Sequence, residues 1–545
     1  MSISKMKKLL VVAPCDEADA VINKLISLRC VNIVDFPSKE IYDLLERKNF
    51  DEQRMPIDSK IEKIEHVISG IAKYAKAKAR LGDGRKKIDR EEFVASIEYA
   101  DACEALEKAY SALQALETAK EQEGTEDEIN ALEGEIFALA GCFEEFKMLY
   151  DIEKTNLEVV NIKGKAAYSD TCAFIFGWIP KKAQEKVETA LADTLCAYEI
   201  TDPDDDDEPP VRISNNPITR CFEWITSGFG TPKYSLFDAT GIMSVFCFVA
   251  FGLMIHDVGY GAVLTILGFV GAAIAGLRSK VKSVLNMLGV CGISSIIFGV
   301  LFGGWFGDMP YAIMRNLLGI ENAKEAVPFF NGMLSKPARD PIFYLVLCLS
   351  VGAIQILVGM IIKFFVLCHK GRAIDAFLDI FPWWVIFAGI ALVFSVNLIL
   401  GLVTIGVGAL VVLIFHGRAK SSFFSRLGNG FLGLGKIALY IVDLANYLKI
   451  FVVGICVGII THYVNLLGTI IGPAALGYVL FAVVSIIGHA ISLILITFAA
   501  VVFVKSIQNE FLKYFCECGG EEFIPSEPCE KYTIDISENT KVEAV

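Results

Sequence analysis

Basic residues are the minority in this chain of 545 residues: 50 Lys and Arg face 63 Asp and Glu, a net charge of −13. A nucleic-acid-binding surface needs the opposite balance to neutralise phosphates, so that class is excluded. Catalytic signatures are missing as well. No GxxxxGK[ST] loop is present, so the chain has no nucleotide site of that kind. There is no GxSxG elbow, no HExxH helix and no paired CxxC, and no metal or organic cofactor is expected. Whether the chain is itself an enzyme stays open on these grounds. The apolar half shows no clear internal repeat, which argues against a transporter built from inverted repeats. A signal peptide is lacking too. The apolar run after MSISKMKK is short and an acidic stretch follows it, so it reads as a first strand and the N-terminus as cytosolic.

Cysteine is not scarce, but its pattern excludes a disulfide framework. The count of 15 is odd, the spacing is irregular, and Cys247, Cys291, Cys348 and Cys456 sit inside apolar runs. A reduced setting fits better. Cys516 and Cys518, with Cys529, leave a thiol or metal site open, though no His lies near.

What is present is apolar length. Hydrophobic residues make up 54% of the chain, and the mean hydropathy is +0.51. A positive mean over such a length requires runs with no polar face, as bilayer spans have. Charge is uneven: residues 1–235 are dense in Lys, Glu and Asp, and 236–512 are sparse. Four parts follow: a soluble lobe over 1–200, an acidic linker and pre-membrane segment over 201–235, a membrane domain over 236–512, and a cytosolic tail over 513–545.

The front reads as an α+β lobe with a long helical arm. Strands are predicted at 8–13 and 31–35, with a helix at 17–28 between them. From 58 to about 121, apolar residues recur at three and four spacing: Ile61, Ile64, Val67, Ile68 and Ile71, then Leu106, Tyr110, Leu113 and Leu116. Breaks fall at 82–84 and 123–127, and a helix returns through Met148. The pattern predicts an antiparallel helical hairpin with a narrow apolar stripe. Strands are expected at 156–163 and 171–178, then a helix at 181–193 and a last short strand. The run DPDDDDEPP (202–210) reads as an extended, solvated hinge, with cation binding as the sharper alternative.

Eight spans are predicted, at about 239–256, 258–277, 284–307, 341–366, 377–396, 398–416, 433–466 and 474–511. The last two exceed the length of an upright crossing and should be strongly tilted or extend beyond the bilayer. With a cytosolic N-terminus, the loops after spans two, four and six are cytosolic. They carry Arg278, Lys280 and Lys282; Lys363, Lys370 and Arg372; and Arg418, Lys420 and Arg426, in accord with the positive-inside rule. The even count places the C-terminus in the cytosol as well.

Charges within spans are costly, and each is a functional candidate. Lys449 stands near the middle of the seventh span, with Asp443 and Asn446 before it and Asn465 near the far end. It reads either as an Asp-paired or snorkelling structural residue or as a cation facing another subunit or an aqueous cavity. The eighth span carries His489, Ser492, Thr497, Lys505, Gln508 and Glu510. For His489 the alternatives are a helix–helix contact and a proton relay. His256 and Asp257, between the first two spans, are open to a turn-and-cap role or a channel role.

Several motifs, taken in order, resemble one family over nearly the whole chain. They are FGWIP (176–180), NNPITRCFEWITSGFGTPKYSLFDATG (215–241), FGLMIHDVGYG (251–261), IIFGVLFGGWFGD (296–308), NYLKIF (446–451), GHAIS (488–492) and EFLKYFCECGGEEFIP (510–525). Together they resemble the membrane stator subunit of rotary V-type and A-type ATPases, called subunit I or subunit a. The chain is shorter than that resemblance leads one to expect, mostly in the soluble arm. The resemblance implies a multi-pass plasma-membrane subunit, of prokaryotic character. Its implied partners are a proteolipid c ring, peripheral-stalk subunits, a central-stalk subunit and the bilayer. It implies transport of H+ or Na+ through two half-channels, with an arginine between them that makes each passing ring carboxylate release its ion. Lys449 stands where that arginine falls. A second family arginine falls near 505–508, on Lys505 or Gln508. The candidate coupling set is therefore Lys449, Lys505 and Gln508 from the resemblance, joined by Asp443, Asn446, His489, Ser492 and Glu510 as polar residues of the last two spans, with no catalytic and no metal-ligating residue. A non-conducting structural paralogue and a self-contained channel or secondary transporter are the competing readings.

Overall fold

The computed structural model describes residues 3–36, 45–75, 85–122, 125–204, 206–234, 238–274, 279–320, 322, 325, 328–418, 422–470, 472–513 and 519–535. The chain divides into two compact units. One joins Ile3–Ile213 to the residues from Gly520 onward, and the other is Ser214–Gly519. The 82–84 break, Arg278, Lys420, Cys516 and Cys518 lie outside the described residues.

The first unit runs β1 (Met6–Pro14), α1 (Ala18–Ser27), β2 (Asn32–Ile33), α2 (Asp51–Ile71), β3 (Lys86–Ile88), α3 (Arg90–Ala95), α4 (Ile97–Glu121), α5 (Glu126–Leu139), α6 (Phe143–Lys165), β4 (Ala167–Tyr168), β5 (Cys172–Pro180), α7 (Gln184–Ala192) and β6 (Ala197–Thr201), with β7 (Thr533–Asp535) from the tail. The main sheet has the order β2-β5-β1-β6, with β4 also on β5, and every pairing in it is antiparallel. Inward residues of β1 and β5, including Leu9, Val11 and Ile175, pack against Val21, Ile22 and Leu25 of α1 and Val187 of α7. Period-two strands covered by helices on one face build this core. Gly177, in FGWIP, is where β2 crosses close: a Cβ there would sit 2.8 Å from the Asn32 carbonyl oxygen.

A second core lies in the helices. Ile61, Ile64, Val67 and Ile71 of α2 meet Leu106 and Leu113 of α4 and Phe146 and Leu149 of α6. One expectation is corrected here. Residues 156–163 are not a strand but the last turns of α6, which runs unbroken to Lys165. Val159 and Val160 looked β-like because they are β-branched and adjacent. Both are buried because this end of α6 leaves the helical core and enters the sheet's core, where Val159 and Ile162 pack.

The acidic run after β6 is not simply solvated. Asp202 pairs with Lys7 at 2.8 Å, and Asp204 and Asp207 both pair with Lys8. Among the described residues, its partners include two lysines of β1.

The second unit is helical: α8 (Pro217–Arg220), α9 (Glu223–Ser227), α10 (Thr240–Ile255), α11 (Val258–Ala273), α12 (Ser279–Phe302), α13 (Met309–Ala312), α14 (Pro341–His369), α15 (Ala373–Asp379), α16 (Phe381–Ser395), α17 (Leu398–Phe415), α18 (Phe423–Leu434), α19 (Lys436–Ala445), α20 (Leu448–Gly468) and α21 (Ala475–Leu512). Among the described residues, 6 stretches are long and apolar enough to cross a membrane, and α10 and α11 are shorter apolar helices. The seventh predicted span lies within the apolar stretch Phe424–Gly468, in which turns at Gly435 and at Asn446–Tyr447 separate α18, α19 and α20. Tyr447 fills the space over Gly352 of α14, where a Cβ would lie 2.5 Å from its ring. Burying that ring, 3% exposed, fixes the break against the bundle.

Candidate functional site

The site is built on the antiparallel helices α20 and α21. Lys449 lies in the first turn of α20, and its ammonium Nζ donates to Asn446 Oδ1 at 3.0 Å and to Ser506 Oγ of α21 at 2.9 Å. Asn446 and Lys449 are three residues apart, a spacing that places both side chains on one face of the helical chain. Asn446 and Lys449 are half-buried. Asp443 is also half-buried, on α19 beyond the break.

The other predicted residues distribute unequally. Lys505 precedes Ser506 and turns away from Lys449, with its Nζ 5.3 Å from the centre of the Trp224 ring. Such a placement holds a cation by the ring's quadrupole. Gln508 faces inward. It is fully buried, and its Oε1 accepts from Gln355 Nε2 of α14 at 2.6 Å. Its own amide nitrogen finds no partner among the described residues. Glu510 accepts from Lys513 Nζ at 2.7 Å, three residues on, in a partly exposed pair. Of the predicted set, the structure therefore joins Lys449 to Asn446 and leaves Lys505, Gln508 and Glu510 with other partners.

His489 and Ser492 belong to a different cluster, nearer the α20–α21 turn. The Tyr260 hydroxyl meets His489 Nδ1 at 2.8 Å, and His489 Nε2 meets Asn465 Oδ1 at 3.0 Å. Asn465 Nδ2 donates to the Phe306 carbonyl and to Asp308 Oδ1, each at 2.9 Å. These two acceptors orient the amide, so its oxygen faces His489. His489 must then carry its proton on Nε2 and accept from Tyr260 on Nδ1. Asp308 Oδ2 meets His462 Nδ1 at 2.6 Å. Ser492 Oγ donates to the Gly488 carbonyl at 2.7 Å, on the same buried face of α21.

Asp257 organises the loop that delivers Asp308. Its carboxylate caps α11 by accepting from Tyr260 N at 2.9 Å, and it also accepts from Phe306 N at 3.1 Å and Gly307 N at 2.6 Å. To aim those amides inward, the loop takes positive φ at Gly303, Phe306 and Gly307. Glycine suits this conformation at two of the three positions. His256 has a positive φ and ends α10, between Phe302 and Tyr344. For this pair the geometry is that of a turn and cap. Beyond Asp308 opens a cavity of about 1130 Å³ lined by Asp308, Tyr311, Arg315, Glu325, Lys336 and His462, among others.

Sequence reasoning did not select Ser506, Tyr260, Asp308, His462 or Gln355. Asp308 ends a glycine-rich motif and Tyr260 stands inside another, which is the one signal that could have raised them. Ser506 carries no such signal, because serine inside an apolar helix commonly bonds its own backbone.

Taken together, the fold is that of a polytopic membrane protein that carries an α+β lobe and a few polar clusters within its helices. More narrowly, the chain is similar to the V-type ATPase 116kDa subunit family and to membrane subunit I of A-type and V-type ATP synthases. Residues 86–288 match that family's model. The A-type ATP synthase subunit I of Methanocaldococcus jannaschii is 26% identical over 504 residues, covering 87% of this chain and 68% of that one. The same subunit of Pyrococcus abyssi is 26% identical, over 68% of this chain and 55% of its own length. The V-type ATP synthase subunit I of Borreliella burgdorferi is 24% identical, over 61% of this chain and 55% of its own. The chain thus spans about two thirds of the first relative and about half of the other two.

Proposed function

We propose that this chain is the ion-translocating stator subunit of an A/V-type rotary ATPase in a prokaryotic plasma membrane. It spans the bilayer eight times, keeps both termini in the cytosol, and works against a proteolipid c ring. The helices of the soluble unit serve as the arm that docks on the peripheral stalks, and the same unit meets the central stalk. One observation carries the reading: the ammonium of Lys449 is held at a fixed place between α20 and α21. Both helices also expose a broad apolar surface, including Ile459, Ile460, Val479, Val483, Ile487, Ile491, Ile494 and Phe498. A cation beside such a surface suits a partner that brings its own carboxylate into the bilayer. There the positive charge favours the ionised form and so the release of the ion.

The cavity at Asp308 and His462 supports a half-channel from the non-cytosolic side. It lies thirteen residues from Lys449 along α20, or ~20 Å at the helical rise. The cation and the polar route are therefore separated along the membrane normal, as a two-half-channel scheme requires.

The test is ATP-driven H+ and Na+ uptake by the whole purified complex in liposomes, wild type beside Lys449→Ala. Loss of uptake with assembly and ATP hydrolysis intact supports the reading. Unchanged uptake moves the coupling role elsewhere, with Lys505 next. A wild-type complex that hydrolyses ATP and moves no ion favours a non-conducting structural paralogue, a reading that the lysine at 449 keeps in play.

A further inference from the structure

Asp151 is a carboxylate on α6 with no solvent exposure. Such a group is costly to bury unless its oxygens are hydrogen-bonded. Among the described residues, five donors reach it, and all come from the C-terminal tail. The amides of Lys531, Tyr532 and Thr533 donate at 3.2, 2.9 and 2.7 Å, the Thr533 hydroxyl at 2.9 Å, and the Cys529 thiol at 3.5 Å. The tail is thus not an accessory laid on a finished surface. Among the described residues, the tail alone supplies hydrogen bonds to this buried carboxylate of α6.

The rest of the docking follows the same logic. Strand β7 pairs in parallel with β3 over three residues, from Lys86↔Thr533 to Ile88↔Asp535. A two-stranded ladder so short does not hold by itself. Side chains supply the hold. Arg29 grips the Glu530 carboxylate with both terminal nitrogens. Arg90 donates to the Cys529 carbonyl and to Thr155. The Tyr532 ring meets Tyr150 edge-on at 5.5 Å. Upstream, the amide of Val211 donates to the Glu521 carbonyl at 2.7 Å, and the amide of Phe523 donates to the Val211 carbonyl at 3.0 Å. The chain leaves this unit after Ile213 and re-enters it at Gly520. Its two covalent tethers are therefore bonded to each other where they meet the lobe.

We propose that the tail is a strap under load, and that Asp151 is the positioning residue that fastens it. Helix α21 carries Ser506 and ends at Leu512, and the strap begins a few residues later. Fastened at Asp151, it gives α21 a second connection to the soluble arm besides the linker at 202–213. Torque on α21 is then shared between two tethers. This rests on the stator reading, in which α21 faces a turning ring.

The experiment uses the whole complex in liposomes with three variants: Asp151→Ala, the milder Asp151→Asn, and a chain ending at residue 528. Two readouts are taken. One is the rate of maleimide labelling at Cys529, followed by peptide mass spectrometry in the two point variants. The other is the number of ions taken up per ATP hydrolysed. The expected result is labelling at least tenfold faster in Asp151→Ala and intermediate in Asp151→Asn. Ions per ATP should fall several-fold in Asp151→Ala and in the shortened chain, with ATP hydrolysis retained. Faster labelling with unchanged ions per ATP overturns the strap, leaving Asp151 a merely structural residue. Unchanged labelling overturns the fastening itself. If the unmodified complex moves no ion, the stator reading fails first and the strap's role under load falls with it. That outcome is read on the wild type alone and is not confused with the others.

Discussion

The ammonium of Lys449 and the hydroxyl of Ser506 meet at 2.9 Å between α20 and α21. Asn446 supplies the second acceptor, at 3.0 Å. The lysine is therefore steered by one neighbour from its own broken helix and one from α21. A hydrogen bond of this kind contributes on the order of 1–3 kcal/mol when one partner is charged. Ser506→Ala should loosen Lys449 without removing it. We expect a drop in ion uptake of less than tenfold, against complete loss for Lys449→Ala, in the same liposome assay. A Ser506→Ala effect as large as that of Lys449→Ala would assign Ser506 a direct role.

Asp257 holds three backbone amides that find no other acceptor among the described residues, those of Tyr260, Phe306 and Gly307. Asp257→Ala orphans all three. Each buried orphan costs about 1–3 kcal/mol, so the change should cost several kcal/mol in total. Asp257→Asn keeps one oxygen acceptor and should cost less. Thermal unfolding of the purified chain in detergent ranks the two against wild type. Equal melting of all three would remove Asp257 as the organiser of the 303–308 loop.

Lys60 of α2 and Glu153 of α6 form an ion pair at 2.6 Å in the first unit. Burial alone would lower the lysine pKa, but the hydrogen bond and charge of Glu153 outweigh it and raise the value above the ordinary 10.5. A raised folded-state pKa contributes stability that is complete below the unfolded value and is lost as pH rises through the folded one. The melting difference between wild type and Lys60→Met should therefore be flat from pH 6 to 9. It should shrink only above pH 10.5. A difference that grows with rising pH would contradict the sign.

The α11–α12 contact depends on missing side chains. A Cβ on Gly268 would sit 2.4 Å from the Gly289 amide nitrogen and 2.6 Å from the Leu285 carbonyl. Small residues let membrane helices approach this closely, and backbone cannot yield to a methyl group. Gly268→Ala should push the pair apart and lower the yield of folded protein. Gly271→Ala meets only Leu285 side-chain atoms at 3.4 Å and beyond, and should be tolerated. Size-exclusion profiles of the two variants in detergent make the comparison.

Much of the secondary structure was legible because it rests on local pattern. A short apolar run marked β1, and three-and-four spacing marked α2 and α4. The strand expected at 156–163 failed for a reason that lies outside the segment. Val159 and Val160 are both buried because α6 passes between two cores, and the sequence does not say that a second core is there. Lys449, Asn446 and His489 were legible as rare polar residues in apolar runs. Their partners were not. Ser506, Tyr260, Asp308 and His462 gain meaning only from the residues they touch. The choice between Lys505 and Gln508 was likewise open in sequence. In the fold, Lys505 lies on Trp224 and Gln508 is buried against Gln355.

The sequence by itself determined the division into a charged lobe and an apolar helical part, the places where long apolar stretches run, and the identity of the rare charges within them. Hydropathy and charge add up residue by residue along the chain, so no neighbour in space is needed to read them. Tertiary structure decided which polar groups meet. It broke the helix before Lys449, turned one glutamine inward, folded the 303–308 loop round Asp257, and brought the tail back to Asp151. Each of these depends on the register between elements far apart in the chain, and on the requirement that every buried donor and acceptor find a partner. That requirement can be met only by the fold as a whole.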